Sequence, residues 1–263
     1  VTLIMGIVNV TPDSFSDGGR YLDPDVALAH ARHLRAQGAE ILDVGGESTR
    51  PGAQRVAPRV EQQRVLPVVE ALASEGSFVS IDTMNAATAV AAVRAGARLV
   101  NDVSGGLADP DMLAAVAETD ADIALGHWRG PSTEMYARAD YVDVGREVSA
   151  ELAERVESAL SAGIDRSRLV VDPGIGFGKR GAQNWQTLSA LPEISALGLR
   201  VLVGTSRKRF LAEAIGEDAD LARRDLATAV TSALSARAGA WAVRVHDVPS
   251  TRDALAVARA WET

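Results

Sequence analysis

The sequence predicts an α/β fold, a single TIM (β/α)8 barrel, on two observations. Short β-branched apolar runs alternate with Ala-rich helical segments eight times from end to end, and most runs finish on a polar residue out of place in a buried strand. Eight such units in 263 residues favour a closed barrel over an open sheet, since these barrels typically need about 250 residues. The domain expected is the whole of residues 1–263.

The first strand is expected over residues 3–10 and its helix over 24–37, where Ala27, Leu28, Ala31 and Leu34 share one face and a glycine follows. The second strand, 40–45, leads to a helix over 58–74, and the third, 78–82, to one over 86–95. The fourth, 99–103, leads to 110–118, opened by Asp109-Pro110, a cap residue before a first-turn proline. Strands five (122–126), six (169–172), seven (200–204) and eight (241–245) lead to helices over 142–162, 185–197, 225–238 and 250–261, the last with Ser250 as its cap. The long irregular stretches 11–23, 47–57, 129–141 and 174–184 each follow a strand and precede a helix. They therefore share the barrel face on which such enzymes keep their chemistry.

Composition narrows the classes. Hydrophobic residues at 47% and charged residues at 24% are ordinary for a soluble globular chain. No apolar run approaches the ~18 residues of a membrane span, and no charged-then-apolar leader precedes the first strand. With no cysteine there is no disulfide, thiolate metal site or cysteine nucleophile, and cytoplasm is the expected compartment. A net charge of −8 excludes a broad nucleic-acid surface. It does not exclude a small anionic substrate, because a few cations in one cleft reverse the local field.

The polar strand ends are, in order, Asn9, Asp43, Asp82, Asn101 with Asp102, His127, Asp172, Ser206-Arg207-Lys208, and Arg244 with His246. Each alone could cap a helix or satisfy a turn. Their convergence on one rim predicts a site without naming its reaction. Arg244 and His246, two apart, point the same way, and Lys208 follows the seventh strand. Loops after the last two strands often bind phosphate in such barrels, so these cations mark an anion end. Arg244 has the alternative of pairing with Asp247 or Asp102. Asp82, Asn101 and Asp172 suit a flat heterocycle bearing N–H donors. A carboxylate can accept from an exocyclic amine and a ring N–H together, and an Asn can meet adjacent donor and acceptor atoms. An oxygen-ligand metal site is the alternative there.

Residues 176–181 fit G-x-G-x-x-G. They lie late in the chain, behind Pro173 and Gly174, and the expected helix begins beyond them, which argues against dinucleotide binding. Lys179 is followed by Arg180 rather than Ser or Thr, so there is no P-loop. These glycines instead let backbone approach a flat ligand, with Phe177 offering a face.

Two long motifs, Asn9-Val-Thr-Pro-Asp-Ser-Phe-Ser-Asp-Gly-Gly19 and Asp43-Val-Gly-Gly-Glu-Ser-Thr-Arg-Pro-Gly52, resemble the first and second signatures of the dihydropteroate synthases. Ser80-Ile-Asp-Thr83, Val100-Asn-Asp102, Leu169-Val-Val-Asp-Pro-Gly174, Ser206-Arg-Lys208 and Arg244-Val-His-Asp247 follow in that family's order. The resemblance spans essentially the whole chain. It is closest to the actinobacterial members, on His127-Trp128 and Ser206-Arg-Lys-Arg-Phe210.

The resemblance implies a transferase of folate biosynthesis on a pterin-binding barrel. It would join 6-hydroxymethyl-7,8-dihydropterin pyrophosphate to p-aminobenzoate, giving 7,8-dihydropteroate and pyrophosphate. It implies that Asp82, Asn101, Asp172 and Lys208 hold the pterin. Arg244 and His246, with Asn9 and a Mg2+ ion, would hold the pyrophosphate. Thr49, Arg50 and Pro51, on a mobile loop, would form the p-aminobenzoate site with Phe177 and Arg209, and the 11–19 loop would close over both substrates. Catalysis then falls to Asp82, Lys208, Arg244 and His246, and the metal to Asn9. A homodimer and a sulfonamide target are expected, with no nucleic-acid or membrane partner.

Gly126 departs from the family pattern, which leads one to expect a larger residue, often Met, packing on the pterin; a glycine there is expected to loosen that wall and weaken affinity. Two other readings share the barrel. A methyltetrahydrofolate-type methyltransferase needs neither the anion site nor the Ser-Thr-Arg-Pro loop. A catalytically silent pterin-binding paralogue is expected to lose Asn9, Arg50 or Arg244, and all three are present.

Overall fold

The computed structural model describes residues 1–11, 24–48, 52, 55–131 and 133–261. Its strands are β1 (Leu3–Asn9), β2 (Ile41–Gly45), β3 (Phe78–Asp82), β4 (Leu99–Asp102), β5 (Asp122–Gly126), β6 (Leu169–Asp172), β7 (Arg200–Val203) and β8 (Ala242–Val245). All neighbours pair in parallel, and β8 returns to β1, closing the barrel. The helices are α1 (Pro24–Gln37), α2 (Pro58–Ser74), α3 (Ala86–Arg94), α4 (Met112–Ala117), α5 (Val144–Ser161), α6 (Ala182–Ser189), α7 (Leu191–Ser195), α8 (Arg209–Ile215), α9 (Leu221–Arg237) and α10 (Val248–Trp261). This is the expected TIM barrel. Among the described residues no helix is long and apolar enough to cross a membrane.

Several helix ends differ from the expectation, each for a local reason. The helix expected over 185–197 is two, α6 and α7, with Pro192 in the first turn of the second. Proline lacks the N–H that a continuous helix needs and suits a new start. Asp109 does not cap its own helix. Its carboxylate accepts from Ala86 N (2.8 Å) at the start of α3 and from Asp111 N (3.1 Å), and α4 begins at Met112. Asp220 accepts from Arg223 N (2.9 Å), so α9 begins four residues ahead of the expected Asp225. Asp247, not Ser250, stands before α10, its Oδ1 3.5 Å from Ser250 N. The short α8 was not expected. It buries Phe210, Leu211 and Ala212 and stops at Gly216.

The period of two along each strand builds the site. One set of side chains, including Ile4, Val8, Leu42, Val44, Val79 and Ile81, faces the helices as the main core. The other fills the barrel. Met5, Ile41, Leu99, Ala124, Val170, Leu202 and Ala242 form a closed apolar layer there. Two residues farther along the same strands stand Ile7, Asp43, Asn101, Gly126, Asp172, Gly204 and Arg244, with Asp82 from β3. The barrel interior thus turns from apolar to polar within one strand repeat.

Candidate active site

Above the apolar layer lies a cavity of about 1060 Å3 lined by Asn9, Asp82, Asn101, Asp172, Phe177, Lys208, Arg209, Arg244 and His246, among others. Thus every residue given a binding, catalytic or metal role that lies within the described part of the chain meets in one cavity. Thr49, Arg50 and Pro51, and the 12–19 part of the first loop, lie outside the described residues.

Arg244 is the electrostatic centre. Its Nε donates to Asp43 Oδ2 and its Nη2 to Asp82 Oδ2, both at 2.6 Å. The alternative partners read from the sequence, Asp247 and Asp102, are not the ones used. Asp102 follows inward-facing Asn101 and so points out of the barrel, where it accepts from Ser104 N, Ser104 Oγ and Gly106 N at 2.7–2.8 Å. Burial works against the guanidinium, but Asp43 and Asp82 outweigh it and hold its pKa above the ordinary arginine value. Burial likewise pushes the Asp82 carboxyl up to about 7; Arg244 opposes the shift and the charge of Asp43 adds to it.

Asp43 is the functional residue that strand-end reading noted without assigning a role. It is fully buried, and its Oδ2 accepts from both Arg244 and Asn101 Nδ2 (3.1 Å). One carboxylate therefore orients a cation and an amide of the site from below. Its position two residues past Ile41, in register with the other polar residues, was the signal for this.

Lys208 donates to Ile175 O and lies 4.8 Å from the centroid of Phe177. Burial lowers its pKa to about 8, against the attraction of Asp172. Burial raises the Asp172 carboxyl, opposed by Lys208 and by the Gly174 N–H that donates to it at 2.7 Å. Gly176 makes room for the lysine: a Cβ there would lie 2.9 Å from Lys208 Cδ. Between Ser206 and Lys208, Arg207 is the one non-glycine among the described residues with positive φ (58°). Its bidentate pair with Asp225 (2.6 and 2.9 Å) holds that reversal and so aims its neighbours.

His246 stands just past β8. Ser206 Oγ accepts its backbone N–H (3.1 Å) and lies 2.8 Å from its Nδ1. A hydroxyl that accepts the backbone hydrogen is the natural donor to Nδ1, which puts the ring hydrogen on Nε2. Arg209 lies at the mouth with its side chain 84% exposed, 3.3 Å from Glu213.

Two expectations need correcting. His127 does not reach the cavity; it is buried behind the wall, its Nε2 2.9 Å from Glu151 and its Nδ1 2.9 Å from Lys179 Nζ. Burial lowers its pKa to about 4, so the ring is neutral. Gly126 does not leave a gap. A Cβ there would lie 2.4 Å from Val103 O and 2.6 Å from Val103 C and Cα. The backbone after β4 fills the space a larger side chain would take, and Val103 lines the cavity in its stead.

Comparison with known proteins agrees with this geometry. The sequence profile described as pterin binding enzyme matches residues 5–246. A dihydropteroate synthase of Mycobacterium leprae is 54% identical over 98% of this chain and 93% of its own length. The solved dihydropteroate synthase of Xanthomonas albilineans with 4-aminobenzoic acid has a TM-score of 0.92 at 44% identity, covering 100% of this chain and 93% of that one. The Yersinia pestis dihydropteroate synthase, solved as a sulfonamide drug complex, has a TM-score of 0.93 at 38% identity over 99% of this chain and 94% of its own. With the barrel, the polar layer and both signatures in agreement, the chain belongs to the dihydropteroate synthase family of pterin-binding enzymes.

Proposed function

We propose that the cavity joins 6-hydroxymethyl-7,8-dihydropterin pyrophosphate to p-aminobenzoate, forming 7,8-dihydropteroate and releasing pyrophosphate. One observation carries this reading. Groups suited to a pterin (Asp82, Asn101, Asp172, Lys208) and donors suited to a pyrophosphate (Arg244, His246) line the same cavity. A methyl transfer from a folate has no use for the second set.

In this reading Asp82 and Asp172 accept the pterin N–H groups and Asn101 meets an adjacent donor and acceptor. The single bond from Arg244 leaves most of the acceptor capacity of Asp82 for the ligand. Lys208 caps the heterocycle, and Phe177 and Arg209 face p-aminobenzoate with Thr49, Arg50 and Pro51. The arylamine is neutral at pH 7 and needs no strong base. Its nitrogen bonds to the pterin methylene carbon as the C–O bond breaks; the pyrophosphate leaves with the electron pair, and the nitrogen then loses its proton. Arg244 and the Nε2–H of His246 stabilise the departing charge, and Asp82 stabilises positive charge on the pterin. No covalent adduct with the protein forms, and a pterin trapped on a side chain in a quenched reaction would overturn this mechanism.

Mg2+ belongs to the same proposal. Among the described residues no three His, Asp or Glu gather into a metal cage. Asn9, which lines the cavity, offers a hard amide oxygen, and that donor fits an ion held mainly by pyrophosphate oxygens and water. When bound, Mg2+ would neutralise charge on the leaving group. The direct test incubates the protein with the pterin pyrophosphate, Mg2+ and labelled p-aminobenzoate. Labelled dihydropteroate is expected, and its absence would sink the proposal. The kcat/KM for the pterin substrate should rise as pH approaches about 7, where Asp82 ionises, and fall above about 8, where Lys208 loses its proton. A flat profile from pH 6 to 9 would contradict these roles.

A cytoplasmic homodimer and sulfonamide sensitivity complete the reading, the latter because sulfonamides imitate p-aminobenzoate. Leu226, Val230 and Leu234 form an exposed stripe at four-residue spacing on α9, with Val257 and Trp261 exposed on adjacent α10. A second copy covers this face. Val230→Glu should shift sedimentation from dimer to monomer, whereas an unchanged dimer would place the interface elsewhere.

A further inference from the structure

Lys179 sits inside the glycine-rich run after β6 yet is only 1% exposed. Its Nζ lies 2.9 Å from His127 Nδ1, 3.0 Å from Gly174 O and 3.1 Å from Phe177 O. The ring of His127 is neutral. Its Nε2–H points at Glu151, so Nδ1 presents a lone pair to the lysine. An ammonium has three hydrogens, and three acceptors surround it. Arg129 fixes the far end of this chain by pairing with Glu151 and Glu147.

We infer that Lys179 is a positioning residue for the aromatic-amine subsite: its ammonium ties the turn that carries Phe177 to the buried His127–Glu151 pair at the end of β5. The inference rests on the assignment of Phe177 to that subsite. Of the three bonds, two go to carbonyls within the turn itself, at Gly174 and Phe177, so this side chain braces a turn that the Phe177 N–H bond to Gly174 O (2.9 Å) and the Gly176 N–H bond to Asn184 Oδ1 (2.7 Å) also close. The remaining bond crosses to His127, the residue just past β5. Lys208 holds the same turn through Ile175 O. Two lysines therefore fix Phe177, Lys179 through its backbone carbonyl and Lys208 over its ring.

The charge of Lys179 is conditional. Burial, reinforced by Lys208 and Arg129 and opposed by Asp172 and Glu151, lowers its pKa to about 7. A neutral amine cannot supply all three bonds. Gly174 O keeps the Phe177 N–H, so the amine would give up its bond to Phe177 O, or turn its lone pair to His127 and force an imidazole lone pair against Glu151. The turn is fully satisfied only below the pKa of Lys179.

The test uses the intact protein and Lys179→Met, which keeps the stem and removes the donors. At saturating pterin pyrophosphate, KM for p-aminobenzoate should rise about tenfold while kcat and the pterin KM change less than about threefold. In the unsubstituted protein the p-aminobenzoate KM should climb as pH passes about 7, and in Lys179→Met it should not. Equal loss for both substrates, or a pH-independent KM in the unsubstituted protein, would overturn the inference. Hydrogen exchange gives a readout independent of the substrate assignment: the amides of 175–178 should exchange faster in Lys179→Met while β6 is unchanged. Unaltered exchange at 175–178 would also overturn it, and a protein that forms no dihydropteroate at all defeats the functional proposal instead.

Discussion

Arg244→Ala is expected to lower kcat/KM by roughly two to three orders of magnitude, since a charged donor aimed at developing charge supplies about 3–4 kcal/mol. It should also destabilise the fold, for a separate reason. Arg244 is the cation between Asp43 and Asp82, both buried, at 2.6 Å from each. Removing one partner of a buried pair costs about 3–5 kcal/mol because the other charge is left in low dielectric. Here two carboxylates are left, and protonation of one is the cheapest escape. The two losses can be separated. Arg244→Ala with Asp43→Asn should recover much of the melting temperature and none of the rate. Arg244→Lys should fail at both, because a point charge cannot bridge two carboxylates and still present donors to a phosphate. Thermal unfolding and steady-state rates on the same preparations decide it. A near-normal rate in Arg244→Ala would remove the arginine from the mechanism.

Much of this is legible in the sequence. The strands are legible as β-branched runs and their polar ends mark one rim; the structure then shows Asp43, Asn101, Asp172 and Arg244 one side-chain repeat above Ile41, Leu99, Val170 and Ala242. What the sequence could not carry was the pairing across the barrel. Arg244 and Asp43 are 201 residues apart, and the sequence alone offers Asp247, three residues on, or Asp102 on another strand, with nothing to select Asp43 and Asp82 instead. The same holds for caps that reach another helix, as Asp109 does at Ala86, and for the short α8, whose apolar residues are too few to show a helical period. Lys179 was hidden for a different reason. A lysine in a glycine-rich loop reads as solvated, and its burial depends on His127 and Glu151, which are 52 residues and 28 residues away in sequence.

Gly126→Ala should lower stability by about 1–3 kcal/mol or more, the usual cost of forcing atoms into a packed interior, and should raise KM for the pterin substrate. The new Cβ would meet backbone, at 2.4 Å from Val103 O and 2.6 Å from its C and Cα. A flexible side chain could swing aside from such a contact, but a peptide unit moves only if its neighbours move. Those neighbours are themselves tight: a Cβ at Gly105 (φ 61°) would lie 2.7 Å from Gly126 O. The turn after β4 and the end of β5 thus approach each other reciprocally, each through a glycine. Asp102 fixes that turn through Ser104 and Gly106, so displacement would carry Val103 into the cavity it lines. Gly126→Met should be worse than Gly126→Ala in both melting temperature and pterin KM. If Gly126→Met instead matched the unsubstituted protein, the 103–105 turn would have to yield freely, and the wall of the pterin site would be set by the residue at 126 rather than by the backbone opposite it.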